Sequence, residues 1–298
     1  MSGLPYIDIP QKFGPVSTFG LLLVVGLLFA GALTRRYARR NGEDLDTLAW
    51  LTTRVVAWGF FGALALDIAF YEPSAFIEAP WETIKKLGIS SYGGGLAGAL
   101  AFIFYAGRKG LDRRRWGDLL AYGVSGGYLF GRLGCAVAHD HLGRKTDFAL
   151  AVNVPPGRYP FDRGADHVIR AHDLGLYEFF LWIVIVAALL VLERWRGRRP
   201  GFLVGFMAVV YSIPRFFLEF LRLESSDPRY GGLTFAQWAS IAIFIAGIYL
   251  LVRKPAAAAV TEATEAPEEA TAARAPKESK APTGNKAKAN KAQGRRRR

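Results

Sequence analysis

Long apolar stretches separated by short, arginine-rich loops restrict most strongly how this chain can fold. The seven stretches are residues 15–34, 48–70, 92–107, 118–138, 176–192, 201–221 and 235–252. Each approaches the roughly 20 residues that a helix needs to cross a hydrocarbon core about 30 Å thick. Backbone polar groups must be paired internally in lipid, so such stretches predict helices. We therefore predict an all-α polytopic membrane protein with these seven transmembrane helices.

Many of the basic residues lie in clusters that follow every second apolar stretch. The formal net charge is +13 over 298 residues. Clusters of arginine and lysine follow the first, third, fifth and seventh stretches, within 35–40, 108–115, 194–199 and 253–254. By the positive-inside rule these loops face the cytoplasm, so the N-terminus lies outside and the C-terminus inside. Because topology accounts for this charge, we expect membrane lipid as a partner and no nucleic acid.

Composition predicts how the chain divides into parts. Residues 1–253 contain the seven-helix domain, and the loop 139–175 is long and rich enough in turn formers for a small extracytoplasmic cap. Residues 254–298 are rich in Ala, Pro, Lys and Glu without an apolar period. They predict a disordered, basic cytoplasmic tail, because they have little apolar surface to bury.

Five of the charged side chains inside the apolar stretches are candidates for a specific role, because each is costly there unless it has a partner or a function. Asp67 is expected either to pair with Arg54 or, near the outer end of its stretch, to reach the lipid headgroups. Arg215 and Glu219 share one helix face at i and i+4. Either they form an intrahelical ion pair, or the carboxylate holds a guanidinium that grips a phosphate. Arg132 lies near the outer end of the fourth stretch.

All four histidines lie in or beside the loop 139–175, and His139, Asp140 and His141 follow the stretch that contains Arg132. Imidazole titrates near neutral pH, so one interpretation is acid–base chemistry on a thiol. The alternative is a zinc site built from these three residues and a downstream histidine.

Three consecutive glycines, Gly93 to Gly95, open the third stretch. Small residues at i and i+4 in this region are typical of close helix packing in lipid. The alternative is that Gly94 and Gly95 let a lipid headgroup approach the backbone, which makes them candidate substrate-binding residues.

Four motifs occur in a characteristic order along residues 13–238. They are Tyr92-Gly-Gly-Gly-Leu96, then Gly131-Arg132-Leu133-Gly134 with Gly143-Arg144 after it, then Leu176-Tyr177-Glu178, and finally the segment 211–222. This order resembles the bacterial prolipoprotein diacylglyceryl transferases. The resemblance implies transfer of a diacylglyceryl group from phosphatidylglycerol to the lipobox cysteine of a preprolipoprotein, which forms a thioether and releases glycerol 1-phosphate.

The resemblance also implies a location and roles for single residues. It implies a multi-pass protein of the bacterial inner membrane whose site faces the outer leaflet and periplasm, with no metal or cofactor. Arg132 corresponds to the family's essential phosphatidylglycerol-binding arginine, and Arg215 to its second essential arginine, which we count as catalytic. Glu219 is the associated carboxylate, and Gly143 is the required loop glycine.

Several positions depart from the family pattern. Gly93 stands where the family often has histidine, and Cys135 stands where it has asparagine. We hypothesise that His139 or His141, oriented by Asp140, replaces the missing base. Cys135 as a covalent nucleophile is a further alternative. The alternative function is a paralogue that binds phospholipid or lipoprotein without catalysis.

Overall fold

The computed structural model describes residues 3–14, 16–71, 73–82, 90–195, 197–223 and 229–253, and these are mostly helical. The helices are α1 (Thr18–Arg40), α2 (Leu45–Tyr71), α3 (Pro73–Glu78), α4 (Ser91–Arg108), α5 (Arg113–Ala138), α6 (Leu174–Leu192), α7 (Phe202–Leu218) and α8 (Phe235–Val252). A 3-10 turn, Glu219–Leu221, extends α7. The predicted tail, 254–298, lies outside the described residues.

Within these described ranges, five helical segments are long and apolar enough to cross a membrane. They are Thr18–Arg40, Leu45–Ile68, Leu174–Leu192, Phe202–Leu221 and Phe235–Val252. Large apolar side chains on these helices, such as Leu28, Phe61 and Val184, are exposed. Such exposure is expected where the surrounding solvent is lipid. The prediction of a membrane protein is confirmed. A helix also lies at each of the other two predicted stretches, and the count of seven crossings stays a prediction.

The helices pack in neighbouring pairs: α1 with α5, α2 with α4, α5 with α6, and α7 with α8. At one end of this bundle, Glu193 accepts hydrogen bonds from Arg36 at 2.5 Å and from Arg40 at 2.6 Å. There too, Arg114 donates to the carbonyl of Arg253 at 2.6 Å. The ends of α1, α6 and α8 therefore meet the start of α5 at this end of the bundle.

The predicted ion pair between Arg54 and Asp67 is wrong. Both residues belong to α2, and a rise of 1.5 Å per residue separates them by about 20 Å along the axis. Arg54 instead donates to the carbonyl of Trp50 at 3.0 Å, and its guanidinium lies 4.1 Å from the centre of the Trp50 ring. A cation–π contact thus accommodates this charge.

The prediction of an all-α chain is wrong for the segment 139–175, which contains β-strands. These strands are β4 (Leu142–Lys145), β5 (Val152–Val154) and β6 (Ile169–Asp173). The N-terminal strand β1 (Leu4–Pro5) pairs in parallel with β5 and completes a four-stranded sheet in the order β1-β5-β6-β4. Alternate residues of β5 and β6 are buried, as the two-residue period of a strand requires.

Two short hairpins complete the described strands: β2 (Lys12–Phe13) with β3 (Val16–Ser17), and β7 (Arg229–Tyr230) with β8 (Leu233–Thr234).

Asp173 joins the four-stranded sheet to the helices. One of its carboxylate oxygens caps α6 by accepting from the backbone N–H of Leu176 at 3.1 Å. The other lies 2.7 Å from Nδ1 of His139, the residue that ends α5. The sheet is thereby fixed over the C-terminal end of α5 and the N-terminal end of α6.

Candidate active site

Four charged side chains meet inside the protein, each 2% to 7% exposed. Arg132 comes from α5, Glu178 from α6 and Arg215 from α7, while Glu219 begins the 3-10 turn. Nε of Arg132 lies 3.0 Å from one carboxylate oxygen of Glu178, and Nε of Arg215 lies 3.6 Å from the other. Glu178 therefore bridges the two arginines. Two positive and two negative charges balance, which offsets part of the cost of burying them.

Arg215 is held at both ends of its guanidinium. Nη1 lies 2.5 Å from Glu219 Oε2, and Nη2 donates to the Tyr92 hydroxyl at 2.6 Å. The contact between Arg215 and Glu219 that their i, i+4 spacing predicts is therefore present. Tyr92 lies in the first turn of α4, so this network connects α4 with α7.

Arg132 differs from Arg215 in what its distal nitrogens contact. Among the described residues, its Nη groups have no oxygen partner, and Nη1 lies 3.9 Å from the sulfur of Cys135. Its ion pair with Glu178 is made through Nε, at 3.0 Å. The Nη fork, which suits two oxygens of a phosphate, is thus left for a ligand.

Glu178 and Tyr92 were not predicted as site residues, although both lie in motifs that resemble the family. Glu178 did carry a signal: a lone carboxylate in an otherwise apolar stretch requires a partner for the same reason that Arg132 does. The sequence carried no such signal for Tyr92, because tyrosines are common at the ends of membrane helices.

Three potential metal-ligating groups gather where α5 ends. Cys135 Sγ, a carboxylate oxygen of Asp140 and a ring nitrogen of His141 all lie within 4.8 Å of one another. Nδ1 of His141 is hydrogen-bonded to Asp140. Because Cys135 Sγ also contacts Arg132 Nη1, this cluster borders the guanidinium fork. Cys135 is buried, His141 half-buried and Asp140 exposed.

His139 is directed away from that cluster. Its Nδ1 lies 2.7 Å from Asp173, its Nε2 lies 3.3 Å from the carbonyl oxygen of Ile7, and its ring stacks on Tyr6 at 3.9 Å. Its φ of 49° turns the chain at the end of α5. Both ring nitrogens are engaged, so this histidine fits a structural role better than that of a base.

The zinc ligand set considered from the sequence is not brought together. His139 contacts Asp173, and Nδ1 of His172 lies 3.0 Å from the Tyr177 hydroxyl. Burial lowers the pKa of His172, which favours the neutral form of its ring. An open apolar cavity of about 440 Å³ adjoins this ring, lined by Phe148, Leu150, His172, Tyr177, Phe180, Leu218 and Leu221. His167 is an exposed loop residue.

The three glycines of α4 have different surroundings. A Cβ atom at Gly93 would lie 2.3 Å from the carbonyl oxygen of Gly62, and one at Gly94 would lie 3.3 Å from that of Gly59. These two glycines therefore allow α4 to pack closely on α2, and no histidine fits at position 93 in this packing. At Gly95 the nearest atom would be the Tyr128 hydroxyl at 3.8 Å, which leaves space.

We expect Gly143→Ala to destabilise the protein by about 1–3 kcal/mol and to reduce its activity, because the added methyl group would overpack the surroundings of residue 143. A Cβ atom at Gly143 would lie 2.4 Å from the carbonyl oxygen of Leu221, in the turn that carries Glu219. Thermal unfolding in detergent measures this effect. Gly164→Ala is the matched control, because nothing lies within 4 Å of a Cβ there. Equal melting temperatures for both variants would contradict the expectation.

The chain is similar to a known protein family over most of its length. A family model described as prolipoprotein diacylglyceryl transferase matches residues 8–253. The phosphatidylglycerol--prolipoprotein diacylglyceryl transferase of Roseobacter denitrificans is 27% identical, over 84% of this chain and 97% of the relative. The proteins of the same name from Rhizobium leguminosarum bv. trifolii and Solidesulfovibrio magneticus are each 30% identical over 84% of this chain, and 91% and 96% of the relatives are covered.

Proposed function

The chain belongs to the prolipoprotein diacylglyceryl transferase family, and we propose that it transfers the diacylglyceryl group of phosphatidylglycerol to the cysteine of a prolipoprotein. One observation carries the proposal: two buried arginines are bridged by Glu178, and the Nη fork of Arg132 is left for a ligand. Since the relatives are named as transferases, a paralogue that only binds its ligands is not favoured.

In the proposed reaction, the Arg132 fork binds the phosphate of phosphatidylglycerol. The thiolate of the lipobox cysteine attacks the glyceryl carbon next to that phosphate. A carbon–sulfur bond forms, the carbon–oxygen bond breaks, and its electron pair leaves with glycerol 1-phosphate. Arginine next to the leaving oxygen stabilises the developing charge. Arg215 reaches the same phosphate by exchanging the Tyr92 hydroxyl for a phosphate oxygen, while Glu219 keeps its Nη1 in place.

The glycines have supporting roles in this scheme. The space beside Gly95 leaves room for the lipid headgroup, and Gly94 contributes through the packing of α4 on α2. Gly143 keeps β4 against the turn that carries Glu219.

We assign formation of the thiolate to His141 and Asp140, which lie next to Cys135 and so border the Arg132 fork. His139 holds the loop that carries them, through Asp173 and Tyr6. Cys135 as a covalent nucleophile fits the chemistry poorly, because the thioether it would form is a poor leaving group for the second transfer.

The purified wild-type protein is expected to lipidate a lipobox peptide, and His141→Ala to do so at least about 100-fold more slowly. His139→Ala should lower the melting temperature, because it removes the contacts with Asp173 and Tyr6. The control, His167→Ala, changes an exposed ring and should match the wild type in both measurements. Full activity of a His139→Ala/His141→Ala double variant would exclude these two histidines from the chemistry, and no transfer by the wild type would refute the proposed function.

We also propose the location of the site in the membrane. Seven helices cross the bacterial inner membrane, and the 139–175 sheet with the site faces the outer leaflet and periplasm. Supporting this, the arginine-rich ends of α1, α6 and α8 meet at one end of the bundle, whereas the site lies at the C-terminal end of α5. Side-specific labelling of cysteines introduced into the loops 139–175 and 193–201 tests this orientation.

A further inference from the structure

We propose that Cys135, Asp140 and His141 bind a zinc ion, and that the open position of this ion holds the prolipoprotein cysteine as a thiolate. The proposal rests on the proposed function and gives it a mechanism of thiol activation. It departs from the sequence-based expectation of no metal. It also differs from the zinc alternative considered there, because Cys135 takes the place of His139 and of a downstream histidine.

The three groups have the donor chemistry that zinc prefers: one sulfur, one imidazole nitrogen and one carboxylate oxygen. Zinc bonds of about 2.0–2.3 Å place neighbouring ligand atoms of a tetrahedron roughly 3.3–3.8 Å apart. The three atoms lie within 4.8 Å of one another. Shifts of about 1 Å complete the geometry, with the hydrogen bond between His141 and Asp140 replaced by their bonds to the ion. They are the one group of this kind in the parts of the chain that the structure describes.

The surroundings fix this cluster in place. Cys135 belongs to α5, and the loop with Asp140 and His141 starts at His139, which Asp173 and Tyr6 hold. The ligands therefore come from a rigid helix and an anchored loop. Such preorganisation lowers the cost of assembling a metal site.

Three protein ligands leave a fourth position open, as in catalytic rather than structural zinc sites. The cluster borders the Arg132 fork, because Arg132 Nη1 lies 3.9 Å from Cys135 Sγ. A thiolate bound there lies next to the phosphate that the fork holds, and so close to the glyceryl carbon that it attacks.

The chemistry explains why a metal is useful here. Alkylation of sulfur requires a thiolate, and coordination to zinc deprotonates a thiol at neutral pH. The thiol proton passes to water when the thiol binds the ion. The sulfur then forms the bond to carbon, the carbon–oxygen bond breaks towards the phosphate, and zinc keeps its oxidation state. No side chain fits at position 93 in this packing, so activation of the thiol comes from elsewhere in the site.

The test measures metal content and transfer on the same full-length protein in detergent. We expect about one zinc per chain in the wild type and in His167→Ala, and background zinc in Cys135→Ser and His141→Ala. The cobalt-loaded wild type should show a thiolate-to-cobalt charge-transfer band that Cys135→Ser lacks. Chelation should abolish lipidation of the lipobox peptide, and added zinc should restore it. Binding of the chelated protein to vesicles that contain phosphatidylglycerol should persist, because Arg132 is unchanged.

The outcomes separate this inference from the proposed function. An active, zinc-free wild type that is insensitive to chelator, or a fully active Cys135→Ser variant, overturns the zinc site and leaves the transferase in place. Zinc bound at these residues without transfer under any condition supports the site and refutes the proposed function. If His141 acts only as a base, His141→Ala loses activity while zinc content stays equal to that of the wild type, which also overturns the zinc site.

Discussion

Arg132→Lys is expected to slow diacylglyceryl transfer by about 10²- to 10³-fold while the protein stays folded. Lysine keeps the positive charge beside Glu178, so the buried ion pair survives. It removes the Nη fork, and a single ammonium cannot bind two phosphate oxygens in a fixed plane. The loss should therefore appear in the rate of transfer and in the affinity for phosphatidylglycerol, but little in the melting temperature.

Arg54→Lys is the matched control for this substitution. Arg54 is also an arginine in an apolar helix, but it contacts the Trp50 ring and carbonyl rather than a carboxylate. Lysine preserves a cation–π contact there, so activity should equal that of the wild type. If Arg132→Lys were as active as Arg54→Lys, the fork would not be the phosphate site.

Glu178→Gln is expected to lower the free energy of unfolding by about 3–5 kcal/mol and to abolish transfer. The amide keeps the volume of the side chain, but it leaves Arg132 and Arg215 buried against one carboxylate instead of two. The two guanidiniums then repel each other, and Arg132 loses the contact that orients its fork. Chemical denaturation and the transfer assay measure the two effects on the same protein.

A second substitution separates charge balance from catalysis. Glu178→Gln combined with Arg215→Gln restores equal numbers of buried positive and negative charges, so it should recover part of the lost stability without recovering activity. Asp147→Asn is the matched carboxylate-to-amide control, because Asp147 is 99% exposed in its pair with Arg170 and should change stability by less than about 1 kcal/mol. No recovery in the double variant would contradict the bridging role of Glu178.

The helices could be predicted from the sequence because an apolar stretch of membrane-spanning length has few other ways to pair its backbone. The strands of the 139–175 segment could not be predicted in this way. Val152–Val154 and Ile169–Asp173 are too short for a two-residue period to stand out, and β5 depends on pairing with distant residues 4–5. Tertiary pairing, rather than local preference, decides such strands.

The site was predictable in part for a similar reason. Arg132, Arg215 and Glu219 stand out because charge is rare in an apolar helix. The bridge through Glu178 depends on how α5, α6 and α7 are rotated against one another, which no pattern within one helix encodes. The roles of His139 and His141 could not be separated either, because the left-handed turn at His139 sends the two rings to different neighbours.

The pairing of β1 with β5 has a consequence for the biosynthesis of the protein. Residues 4–5 find their partners only after residues 152–153 have been synthesised. At about 5–20 residues per second, the first residues wait on the order of 10–30 s for that event. Tyr6, which covers His139, follows β1 directly and is ordered with it. The loop beside the arginines therefore acquires its final shape only after about half of the 298 residues have been synthesised, when helices α1 to α5 already exist.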